Sequence, residues 1–95
     1  MSLTLERLFS IFGKWNYQNL EGVHTFTSEH GTIEVSSSLE IIKFKKEGVT
    51  KPVAFLSNLK TKKYRLWDSS EVRWDELSRR LMQISSNPEI LDEVK

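Results

Sequence analysis

The sequence predicts an α+β domain. One helix comes first, then an antiparallel meander of about five strands, then a C-terminal helix and a short final helix packed on one sheet face. Three observations predict it. Apolar residues near the start recur at helical spacing, the middle alternates between turn-forming pairs, and the end returns to helical spacing. The connections in the middle are too short for parallel crossovers, so the strands pair antiparallel. With 95 residues, the chain reads as one compact domain spanning 1–95.

The first helix is expected over residues 3–12. Leu5, Leu8, Phe9 and Phe12 fall on one face, and Ile11 and Trp15 widen it. Ser2 or Thr4 can cap its start by accepting a backbone N–H, and Glu6 suits the positive end of the helix dipole. Gly13 is expected to end it in a left-handed conformation. Lys14 to Leu20 reads as an irregular link or a short strand. Glu21-Gly22 is a turn, and Val23–Ser28 is a strand rich in β-branched and aromatic residues. Gly31 closes a hairpin onto a return strand, Thr32–Ser36.

The next strand runs from Leu39 to Lys46, with Ile42 and Phe44 on one side and Lys43 and Lys45 on the other. Glu47-Gly48 turns the chain into a strand over Lys51–Ser57. Pro52 lacks an N–H, so it is expected at that strand's start or on a sheet edge. Lys63–Trp67 is the last strand, with Tyr64 and Trp67 on opposite sides. Asp68-Ser69-Ser70-Glu71 has the spacing of a capping box and predicts a helix from about Glu71 to Ser85, with Trp74, Leu77, Leu81 and Ile84 buried. Asn87-Pro88-Glu89 starts the final helix, whose apolar face is Ile90, Leu91 and Val94. That helix is too short to stand alone in water. It is expected to dock on its own domain or across a two-fold homodimer.

Composition narrows the chemistry. There is no cysteine, which removes disulfides, thiolate metal sites and cysteine nucleophiles, and is compatible with a cytoplasmic protein. No run of residues is apolar enough for a signal peptide or a membrane span. His24 and His30 lack helical zinc spacing and read as surface imidazoles. There is no nucleophile elbow and no glycine-rich phosphate loop. Glu34, Glu40 and Lys43 bring a metal nuclease to mind, but Glu40 and Lys43 would face opposite sides of a strand. The sequence therefore predicts no catalytic residues, no metal, no cofactor and no enzyme.

Charge is where the sequence speaks. The chain carries a formal charge of only +1, yet the segment from Lys43 to Arg65 holds eight basic residues against the single acid Glu47. Those cations lie on structured strands and turns, so they can gather on one sheet face. Aromatic residues are interleaved: Phe44, Phe55, Tyr64 and Trp67. Cations that follow a phosphate backbone, with rings that stack on bases, are what single-strand binding requires. The expected function is nucleic-acid binding through Lys43, Lys45, Lys51, Lys62, Lys63 and Arg65, with Tyr64 or Trp67 stacking on a base. The alternative is a protein-interaction module, a small inhibitor or adaptor, that docks its basic face on an acidic protein partner.

Overall fold

The computed structural model describes residues 3–93, so Ser2 and Val94 lie outside the described residues. It contains α1 (Leu5–Ile11), β1 (Asn16–Leu20), β2 (Val23–Ser28), β3 (Gly31–Val35), β4 (Ile41–Lys46), β5 (Val49–Asn58), β6 (Lys63–Leu66), β7 (Glu71–Val72), α2 (Trp74–Ser86) and a 3-10 segment (Pro88–Glu93). The seven strands form one antiparallel sheet in sequence order. The architecture is the α+β meander that the sequence predicts, with two strands more than expected. Asn16–Leu20 resolves to an edge strand, and Glu71–Val72 pairs with Tyr64 and Arg65 at the other edge.

Local chemistry explains most element boundaries. Thr4 caps α1 by accepting from the Arg7 N–H at 3.1 Å. Gly13 does not end the helix by turning left-handed. It is needed because the Phe9 carbonyl passes 2.8 Å from where a Cβ would sit. Glu21-Gly22 and Glu47-Gly48 both have positive φ at their two residues, the primed geometry that matches strand twist in tight hairpins.

The predicted capping box is instead a turn. The Asp68 carboxylate accepts from the Ser70 N–H at 2.9 Å, and Ser69 takes positive φ. Those hydrogen bonds from Ser70, with Arg80 nearby, hold the Asp68 carboxyl below its ordinary range. The chain then makes one more sheet bridge, and α2 begins only at Trp74, with Arg73 at its cap position and no side-chain cap.

The core lies between the inner sheet face and the two helices. Phe26, Ile33, Val35, Ile42, Phe44, Tyr64 and Leu66 from the sheet meet Leu8, Phe12, Leu77, Leu81 and Ile84 from the helices in one buried cluster. Trp74 is only half-buried, under the Arg7 guanidinium at 4.8 Å. His24 is not a surface imidazole. It shares the inward parity of Phe26, is buried, and lies 2.9 Å from the Tyr17 hydroxyl through Nδ1. His30 is exposed in the next turn.

The final helix is a 3-10 segment rather than an α-helix, and it docks on its own domain. Leu91 is fully buried. Lys51 Nζ donates to the carbonyls of Leu91 and Asp92 at 3.0 and 3.2 Å, and Lys46 pairs with the Asp92 carboxylate at 3.4 Å. Lys51 thus ties two carbonyls of the 3-10 segment to β5. Lys51→Met is expected to cost about 1 kcal/mol and to speed hydrogen exchange in the 3-10 segment. Unchanged exchange there would show that burial of Leu91 alone holds it.

Candidate functional site

Neither helix covers the outer face of the sheet. On β4, strict alternation puts Ile42 and Phe44 in the core and leaves Ile41, Lys43 and Lys45 exposed on the outer face. The register then carries this face across the sheet. Lys45 lies opposite Thr50, Lys43 opposite Pro52, and Ile41 opposite Phe55. Phe55 in turn lies opposite Arg65, and Arg65 opposite Glu71. Lys63, two residues before Arg65, shares its side of β6.

A bulge in β5 creates the central feature of this face. The register slips at Ile42/Lys43, so Val53 is an extra residue, and Val53 and Ala54 are both buried in succession. The alternation is thereby reset. Pro52 and Phe55, which differ by an odd number of positions, both face outward. Pro52 is not the first residue of β5, but β5 pairs with β6 only from Ala54 onward, so Pro52 lies where the strand has a free edge on that side. It also sits at the bulge, where a missing N–H breaks no ladder bond. Phe55 stays 45% exposed and Ile41 46%. Together with Glu40, Lys43, Pro52 and Ala54 they line an open groove of 490 Å³.

The predicted site residues divide into three groups. Lys43, Lys45, Lys63 and Arg65 come together on the outer face. Lys43, Lys45 and Lys63 make no ion pair among the described residues, whereas Arg65 is held by Glu71 at 3.1 Å and by the Ser69 carbonyl at 3.1 Å. Glu71 also accepts from Ser57 at 3.0 Å, so this carboxylate is a fixed part of the face. Lys62 stands in the β5–β6 turn at φ 57°, beyond the end of the strands.

Lys51, Tyr64 and Trp67 do not join this face. Lys51 points to the inner side and is occupied by the 3-10 segment. Tyr64 is 4% exposed, and its hydroxyl donates to the Leu39 carbonyl at 3.0 Å. Burial, then the Glu40 charge, holds its phenol above the ordinary value. Trp67 lies just past the end of β6, half-buried against the core, with the Arg80 guanidinium 5.6 Å from its ring centre. Neither ring has a free face on the basic surface.

Phe55 is the aromatic residue that does, and sequence reasoning did not single it out as the stacking ring. Simple alternation from Val53 groups Phe55 with a core residue. Only Pro52 in mid-strand hints at the bulge that separates them. No helix among the described residues is long and apolar enough to cross a membrane. No protein family matches the chain, and no curated protein or solved structure matches it either.

Proposed function

We propose that the protein is a non-enzymatic binding module that holds single-stranded nucleic acid on the outer face of β4–β6. The observation that carries this reading is the position of Phe55. Its half-exposed ring lines the groove together with Lys43 and lies opposite Arg65 of β6, with Lys45 and Lys63 further along the same face. From the level of Lys45 to that of Lys63 the face extends roughly 20–25 Å along β5. Cations at both ends of a ring that can stack on an unpaired base suit a flexible strand better than a duplex, whose bases are already stacked.

Fluorescence anisotropy with labelled oligonucleotides across a salt series tests the proposal. If about four phosphates are contacted, affinity falls with salt at a log–log slope of about −3. Lys43→Glu with Lys63→Glu is expected to weaken binding to every sequence alike, because phosphate contacts position a strand without reading it. Phe55→Ala is expected to cost a further 1–3 kcal/mol, roughly the contribution of one stacked base. Phe55 is exposed on its strand, so its loss leaves the core intact.

A second reading is favoured by the apolar lining of the same groove. Ile41, Pro52, Ala54 and Leu56 offer a seat for an apolar anchor from an acidic protein partner, with Lys43 in the lining and Arg65 opposite Phe55 on the next strand. Binding to oligonucleotides no tighter than about 10⁻⁴ M at low salt, or a double charge reversal without effect, assigns the face to that partner instead.

A further inference from the structure

A second concave feature lies where the basic face ends. Lys60, Thr61, Lys62 and Lys63 of the β5–β6 hairpin curl towards Arg73 and Trp74 at the start of α2, and these six residues line a cleft of 310 Å³. Four of the six are cations and none is an acid. Among the described residues none of the four cations makes an ion pair. The hairpin is shaped to present them. Asn58 Oδ1 accepts from the N–H groups of Lys60 and Thr61 at 3.0 Å each, and Lys62 takes positive φ. Arg73 is brought in by β7, since continuing the Val72–Tyr64 pairing by one residue sets Arg73 beside Lys63.

Like charges gathered around a cleft without a counter-charge repel one another, and an anion relieves that repulsion. Arg65 and Lys46 on the same sheet each have a carboxylate partner, which these four cations lack among the described residues. Resting on the strand-binding reading above, we propose that this cleft holds the terminal phosphate of the bound strand, a phosphate monoester, rather than one of its internal diester phosphates. Two features favour the end of a strand. A monoester carries a charge of about −1.5 to −2 and three acceptor oxygens, which four converging cations match better than the single charge of a diester. The basic face also stops here: the next residues along the chain, Asp75 and Glu76, are acids in the first turn of α2, and they disfavour a strand that continues past the cleft. The Trp74 ring, half-buried at the same opening, is placed to pack against the terminal sugar or base.

The experiment compares one oligonucleotide in four forms, carrying phosphate or hydroxyl at its 5′ end and phosphate or hydroxyl at its 3′ end, with the dye always on the opposite end. The full chain is titrated at low salt and read by anisotropy. A phosphate at one of the two ends is expected to tighten binding about tenfold, the equivalent of a single hydrogen bond to a charged group. Lys60→Gln with Arg73→Gln is expected to abolish that preference while leaving the hydroxyl-ended strand bound within about twofold. Both side chains are exposed, and an unchanged melting temperature verifies the fold. Equal affinity for phosphate and hydroxyl at both ends, with binding retained, overturns the terminal-phosphate assignment and leaves the strand-binding reading standing. A preference that survives the double substitution puts the terminal phosphate elsewhere and overturns the cleft. Failure of all four forms to bind overturns the strand-binding reading itself, and this inference with it.

Discussion

Leu81→Ala is expected to destabilise the fold by about 2–5 kcal/mol. Leu81 lies in the middle of α2 and has no exposed surface. Its helix is the hub of the inner layer, touching α1, β6, β7 and the 3-10 segment. Truncation removes the transfer free energy of the buried branched side chain and leaves a cavity that these elements cannot all close at once. A native domain has only about 5–15 kcal/mol in total, so the variant would lose a large fraction of its stability. Urea denaturation of both proteins measures the difference. A loss below about 0.5 kcal/mol, the range of ordinary surface substitutions, would mean that α2 does not pack on the sheet through this face.

Gly31→Ala is expected to cost about 3 kcal/mol or more, by a different mechanism. Gly31 opens β3 at φ 143°, a conformation closed to residues with a Cβ. A Cβ there would lie 2.5 and 2.7 Å from the Phe44 ring and 2.8 Å from the Lys45 carbonyl. The ring is 1% exposed and the carbonyl belongs to the neighbouring strand, so neither can move aside without disturbing the core. Gly48→Ala supplies the comparison. Gly48 also has positive φ, at 80°, but nothing lies within 4 Å of the added Cβ. That substitution meets backbone strain alone, about 1 kcal/mol. Thermal melts of the two variants separate the mechanisms. Equal losses at both glycines would show that the Phe44 ring yields, and that the close approach at Gly31 contributes nothing.

The sequence by itself determined the order of elements, the antiparallel meander between two helices, and the inward faces of β4 and α2. Those features follow from periodicity, which is written into neighbouring residues and needs no knowledge of the rest of the chain. It also determined that cations would crowd the second half of the sheet. Tertiary structure decided what periodicity cannot encode. Asn16–Leu20 and Glu71–Val72 are strands because a neighbouring strand offers them hydrogen-bond partners, although neither has a strong β pattern of its own. Asp68 closes a turn instead of capping a helix, because Glu71 and Val72 are taken up by the sheet before α2 can begin.

The divisions within the candidate site have the same origin. Lys43 and Lys45 could be placed outward from alternation alone. Lys51 could not be seen as occupied, because its partners are carbonyls forty residues further along the chain. Tyr64 went to the core since its strand shares the parity of Leu66. Phe55 went to the surface because one extra residue, Val53, shifted the alternation of β5 by one. A strand's period of two is a local property. Which of its two faces meets the core, and where a bulge reverses that choice, depends on the strands beside it and on the helices that fill one side of the sheet.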